Sequence, residues 1–261
     1  MLVSGGSLGH VELLPGDEMP IPHVIEDFTD VAEYSRFKFG DGEVSKKYGV
    51  MLGELACQDI EAGDDVLVTS SAYRFAPPAS ESLVTPFVQK LCEEGINASA
   101  FKISKAKLAT DNYASLSFSD RASTLQNDLI LPAGIELEGK KLIALDDIRV
   151  TGLREAALKN LFESMGVDQA SFFYVLDVED GREHPETEAV INIRSVRTIE
   201  DVIALAQKPD FVPNVRLCKF IISRNIADLE TFCSQVPVSV ARTVVRYIEE
   251  DNLREVVKAI P

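Results

Sequence analysis

The stretch 142-LIALDDIRVTGLREAALKNLF-162 joins two different periodicities at a single point. Leu142 to Leu145 form a continuous apolar run of the kind that reads as a buried strand, whereas the residues from Leu153 onward follow an amphipathic helical pattern. Between them lie Asp146, Asp147 and a short turn containing Thr151 and Gly152. A strand that passes into a helix through a short polar turn is half of a βαβ unit, so this stretch points to a parallel sheet.

The flanking sequence repeats the alternation. Residues 64–71, 98–104, 140–147 and 169–178 read as short apolar strands, and residues 78–95 and 152–166 as helices. Gly95 stands as a C-terminal stop for the first of these helices. Upstream, YSRFKF reads as a short aromatic strand, followed by a Gly40-Asp41-Gly42 turn and a helix with apolar positions at Tyr48, Met51, Leu52 and Leu55. Strands separated by helices require right-handed crossovers. The expected fold is therefore α/β, a largely parallel sheet flanked by helices, with a helical C-terminal extension.

Three regions follow from this pattern. Residues 1–34, rich in Gly and Pro, are expected as an irregular N-terminal arm, residues 35–184 as the α/β core, and residues 185–261 as the helical extension. Thr198 with Asp201 resembles a helix start, and Pro209 and Pro213 separate neighbouring helical pieces. Between the second and third core strands lie about 35 polar residues, a length typical of functional lids. The competing reading is a surface insertion, or a small hairpin over YASLSFS.

Bulk composition narrows the function. The formal charge of −16 opposes non-specific attraction to nucleic acid or to anionic lipid, so an anionic substrate would need a local concentration of positive charge. No apolar run approaches the roughly 20 residues that span a bilayer, and the N-terminus lacks the pattern of a signal peptide. The expectation is a cytoplasmic protein with neither membrane nor nucleic-acid partner. Cys57, Cys92, Cys218 and Cys233 form no CxxC pair and are expected as buried, reduced thiols. The three histidines are scattered, which gives no support to a zinc site or a histidine-based triad.

In an open parallel sheet, ligands bind beyond the carboxyl ends of the strands, which places Asp146 and Asp147 on the ligand side. The turn after them leads to a helix N-terminus, where unpaired N–H groups and partial positive charge suit a phosphate. Gly152 allows close approach of the backbone to an anion. A competing reading has Asp147 or Thr151 capping the helix, Glu155 assisting and Asp146 solvated. Capping accounts for one polar residue but not for two adjacent acids at the end of an apolar strand.

The run from Leu142 to Arg154, an apolar strand, two acids, three variable residues and Thr-Gly, resembles the signature of the type I phosphoribosyltransferases. The resemblance covers residues 35–178. It implies that Asp146 and Asp147 hold the ribose hydroxyls of phosphoribosyl pyrophosphate, often around magnesium carried with the substrate rather than bound directly by protein. It assigns the 5-phosphate to Ile148, Arg149, Val150, Thr151, Gly152, Leu153 and Arg154. Ser70, Ser71 and Arg74, after the first core strand, match the place of a pyrophosphate loop. Lys105 and Lys107, with Lys102 and Arg121, match the place of a mobile catalytic loop. The implied activity is transfer of phosphoribosyl to a nitrogen acceptor, with a catalytically silent phosphoribosyl pyrophosphate- or nucleotide-binding regulator as the alternative. Homodimers are common in the family.

Two departures stand out. The family has Thr or Ser two places after the Gly, where this chain has Arg154, which would grip the phosphate or turn out to Glu155. The Lys-Ser-Gly of orotate phosphoribosyltransferases corresponds to Gly40-Asp41-Gly42, which argues against orotate. With its helical tail, the pattern is most similar to phosphoribosyltransferase-like proteins encoded with bacterial tellurite-resistance and stress genes.

Overall fold

The computed structural model describes residues 2–14, 21–24, 30–106, 129–167, 169–178 and 187–254. The central sheet contains β1 (Leu2–Leu14), β2 (Ile21–Val24), β3 (Asp65–Ser70), β4 (Asn97–Ala100), β7 (Lys141–Arg149) and β8 (Ala170–Val178), in the order β2-β1-β8-β7-β3-β4. Every neighbouring pair is parallel except β1 with β2 at one edge. β5 (Ser104–Lys105) and β6 (Leu129–Ile130) form a separate antiparallel pair.

Helices cover both faces. On one, α1 (Val31–Lys38), α2 (Gly42–Ala56) and α3 (Glu81–Glu93) bury Phe37, Tyr48, Leu52, Leu83 and Phe87 against Ile143, Leu145, Phe173 and Val175. On the other, α4 (Leu153–Ser164) places Leu158 and Phe162 on Leu142, Ala144 and Phe172. Full burial of such side chains contributes about 1.5–3 kcal/mol each. Alternate residues of β7 thus serve opposite cores, and for that reason its sequence reads as an unbroken apolar run.

The expected irregular arm is instead strand in β1 and β2. β1 runs beside β8, from Leu2 opposite Ala170 to Val11 opposite Val178. Its glycines suggest a turn, but at Gly5 and Gly6 they make room: a Cβ on Gly5 would lie 2.6 Å from the Phe173 ring, and one on Gly6 2.8 Å from Leu55 Cδ2. The expected aromatic strand at YSRFKF is helix α1. Asp30 caps it by accepting from Ala32 N at 2.9 Å, and Tyr34, Phe37 and Lys38 fall on its buried face. The second core strand ends at Ala100, short of the expected 104.

The long connection is closed at its ends by the β5–β6 pair, and residues 107–128, with Lys107, Arg121 and YASLSFS, lie outside the described residues. Cys92 is exposed and not the buried thiol expected, while Cys218 is buried. No described helix is long and apolar enough to cross a membrane.

The C-terminal region forms α5 (Thr187–Asn192), α6 (Ile199–Ala206), α7 (Val215–Ile222), α8 (Ile226–Gln235) and α9 (Val238–Glu250). The capping box read at Thr198 and Asp201 is present. From α6 onward these helices bury their own cluster, including Val202, Leu217, Ile221, Phe232, Val244 and Ile248, around Phe39 of the core.

Gly40-Asp41-Gly42 is the seat for that packing. Buried Asp41 accepts from Arg36 Nε at 3.3 Å and Lys208 Nζ at 2.9 Å, and Val212 N donates to Gly40 O at 2.9 Å. A Cβ on Gly42 would stand 1.8 Å from Asp210 O. Val215 N donates to Pro77 O at 2.8 Å, and Asp251 accepts from Ala76 N at 2.8 Å. The helical region therefore rests on the loop after β3, at the carboxyl edge of the sheet.

Candidate active site

β7 continues past the two acids to Arg149, so Ile148 and Arg149 belong to the strand and not to the expected loop. Ile148 is buried, and Arg149 is committed to Asp177, to Glu155 at 3.7 Å, and to the Tyr174 ring 5.6 Å away. The loop proper is Val150, Thr151 and Gly152. Gly152 has φ +72 with open space where a Cβ would be, so it is the left-handed backbone that requires glycine there. α4 begins at Leu153 without a side-chain cap. Thr151 Oγ1 makes only a long 3.5 Å contact with Leu153 N.

Strand alternation sends the two carboxylates to opposite faces of the sheet. Asp147 meets α1, where the buried Lys38 ammonium donates to its Oδ2 and also reaches Glu188 Oε1 of α5 at 3.0 Å. Asp146 meets α4, where Arg154 Nη1 stands 3.4 Å from its Oδ2 and 3.7 Å from Asp147 Oδ1. Ser71 also donates to Asp146. Neither acid caps the helix and neither is solvated. Arg154 does not pair with Glu155, which instead accepts from the Tyr174 hydroxyl at 2.7 Å and binds Lys159.

The charges are unevenly balanced. Burial pushes the Asp146 carboxyl up to about 6 despite the opposing Arg154, with Asp147 adding to the rise. Lys38 holds Glu188 down at about 2, against the effect of burial. Burial alone would lower Lys38, but Asp147 and Glu188 outweigh it and the ammonium is raised. The Tyr34 hydroxyl is buried beside this network with no hydrogen-bond partner among the described residues.

A cavity of about 300 Å³ opens over the carboxyl edge. Of the residues singled out in the sequence, Ser71, Arg74, Lys105, Asp147 and Arg154 line it. Asp146 does not, being held by Ser71 and Arg154, which do. Ser70 is buried and turned to Glu81 Oε2 at 2.6 Å, away from the lining. Lys102 is spent on the Arg74 carbonyl at 2.7 Å.

Sequence reading missed Lys38, Glu188, Arg216, Lys219 and Asp251, all of which line the cavity. The sequence pattern puts Lys38 in a strand; Glu188, Arg216 and Lys219 lie in helices and Asp251 just after one, with no motif to mark them. The lining carries six basic residues and three acidic ones, a local reversal of the chain's −16. Such an edge can neutralise an anion, while the carboxylates can accept from hydroxyl groups.

Residues 23–248 match the model of a family described as "PRTase ComF-like". No significant match was found among curated proteins. Among solved structures, the chain is similar to a hypoxanthine-guanine phosphoribosyltransferase from Bacillus anthracis, at 18% identity and TM-score 0.40, covering 55% of this chain and 75% of that one. It is also similar to the Trypanosoma cruzi hypoxanthine phosphoribosyltransferase in complex with IMP, at 16% identity and TM-score 0.36, covering 59% and 72%. A Staphylococcus aureus hypoxanthine phosphoribosyltransferase matches at 16% identity and TM-score 0.35, covering 58% and 68%.

Proposed function

The chain belongs to the ComF-like phosphoribosyltransferase family, and from that premise we propose that it transfers phosphoribosyl from phosphoribosyl pyrophosphate to a small nitrogen acceptor, releasing pyrophosphate. The observation that carries this reading is the buried pair Asp146 and Asp147, set at the edge of a parallel sheet between a cation-lined cavity and a helix that starts at Leu153, just after Gly152.

In the transfer a bond forms between the acceptor nitrogen and C1 of the ribose, and the C1–O bond to pyrophosphate breaks. Asp147, fixed by Lys38, accepts from a ribose hydroxyl at the cavity wall. Arg154, whose side chain is 53% exposed, turns from the acids to the incoming 5-phosphate and releases Asp146 to the second hydroxyl. The phosphate itself takes the N–H groups at the start of α4. Ser71, Arg74 and Lys105 face the leaving pyrophosphate, whose growing charge they offset.

Magnesium brought in with the pyrophosphate would supply further neutralisation, and the oxygen-only donors Asp146 and Asp147 suit such a hard ion.

A second reading, a silent binder of phosphoribosyl pyrophosphate, is favoured by one observation: Arg154 already neutralises both acids. Pyrophosphate release on mixing protein, phosphoribosyl pyrophosphate and magnesium with nucleobases and small amines separates the two. Turnover with one acceptor class is expected, whereas tight binding with silence across the panel would favour the silent reading.

A further inference from the structure

The basic residues of the cavity come from several elements: Lys38 from α1, Arg74 from the loop after β3, Lys105 from β5 and Arg154 from α4. Arg216 and Lys219 come from α7, which the Val215 N to Pro77 O bond and the Asn214 Nδ2 to Lys38 O bond, 3.2 Å, hold over the opposite wall. Three residues apart on one helix, they fall on the same face.

Lys38 is satisfied by Asp147 and Glu188, and the Asp251 carboxylate by the backbone N–H groups of Phe75 and Ala76. Arg216 and Lys219, by contrast, have no carboxylate within 4.0 Å among the described residues. Arg216 rests on the Phe39 ring at 5.9 Å, and its Nε is buried without a hydrogen-bond partner among the described residues. A guanidinium held by packing with a buried donor unspent is costly unless a ligand completes it. Lys219 is exposed, yet loss of water and the nearby charges of Arg154 and Arg216 lower its pKa, a condition that an arriving anion would relieve.

Val215, Leu253, Ala157 and Leu158 give the same cavity apolar lining, beside the carboxylates of Glu188 and Asp251. We propose that the α7 wall, through Arg216 and Lys219, binds the acceptor, and that this acceptor is a small, largely apolar ring or amine bearing a carboxylate. The proposal rests on the phosphoribosyl transfer reading above, since it takes the sheet-edge cations as occupied by phosphoribosyl pyrophosphate. A guanidinium pairs with a carboxylate through two parallel N–H bonds, a geometry that a carboxamide cannot match.

The test uses matched pairs on the full chain. Pyridine-3-carboxylate and pyridine-2-carboxylate, each with its carboxamide, and 2-aminobenzoate with 2-aminobenzamide, are titrated calorimetrically in the presence of magnesium and phosphoribosyl pyrophosphate. The acid of at least one pair should bind about tenfold or more tightly than its amide, a charge-assisted preference. Arg216→Gln and the exposed, structurally safer Lys219→Gln should each erase most of that preference while leaving phosphoribosyl pyrophosphate affinity near wild type. Amides binding as well as acids, or no member of any pair binding, overturns the inference and leaves the transfer reading standing. A loss of phosphoribosyl pyrophosphate affinity in folded Lys219→Gln also overturns it, by assigning these cations to the donor. Failure of the wild-type chain to bind phosphoribosyl pyrophosphate removes the underlying reading, and with it the inference.

Discussion

At the scale of single residues, the charges that are satisfied and those that are not set both the stability and the ligand binding of the site. Lys38 is buried between Asp147 and Glu188, so its loss would leave buried Asp147 with only the longer 3.7 Å contact to Arg154. Lys38→Met should therefore destabilise the chain by about 3–5 kcal/mol, measured by urea denaturation at neutral pH. Asp146 is the opposite case. Its folded pKa of about 6 lies above the unfolded value, so between these two values the folded state holds more protons and stability falls as pH rises. Asp146→Asn should then raise the thermal stability at pH 8, by about 1–3 kcal/mol, and change little at pH 4. An equal effect at both pH values would show that the carboxylate carries no such strain. A residue kept at a cost to stability fits a ligand-binding role. Arg154, the departure from the family pattern, was legible only as an anomaly: its spacing from Asp146 brings the two together over the strand-to-helix turn, a tertiary contact that one-dimensional periodicity does not encode.

At the scale of elements, sequence and structure agree where one periodicity governs. β3, β7 and β8 are apolar runs buried on both faces, α2, α3 and α4 bury one face each, and each element stands within a few residues of its expected place. They part where glycine or aromatic residues carry more than one meaning. Gly5 and Gly6 mark close packing within β1 and not a turn, and Phe37 and Phe39 serve different cores from the end of one helix. Gly40-Asp41-Gly42 reads in the sequence as a turn that departs from the orotate motif, yet it is the surface on which the helical region docks. Gly42→Ala, which drives a methyl group onto the Asp210 carbonyl, should cost about 1–3 kcal/mol or more as overpacking. Hydrogen exchange should show α6 to α9 losing protection while β3 and β7 keep theirs. Uniform loss across both regions would mean that the docking is not separable from the core.

At the scale of the whole molecule, an acidic chain encloses a basic cavity. The carboxyl edge of the sheet supplies Ser71, Arg74 and Asp147, and the C-terminal region supplies Arg216, Lys219 and Asp251 from the other side. The first half of this arrangement was readable, because a strand-end acid pair before a Gly and a helix has few structural explanations. The second half was not, because residues more than 60 positions downstream meet the sheet only through packing that leaves no local trace. A cavity of this sign within a chain of −16 draws anions by focusing and should bind them more weakly as salt rises. The central claim, that Asp146 and Asp147 form the ribose end of a phosphoribosyl pyrophosphate site, is tested most directly by calorimetric titration of that compound with magnesium at fixed salt. The wild-type chain should bind it, and Asp146→Asn/Asp147→Asn, verified as folded, should bind about 100-fold or more weakly, the worth of two charge-assisted hydrogen-bonding groups. Equal binding by the two proteins would contradict the claim.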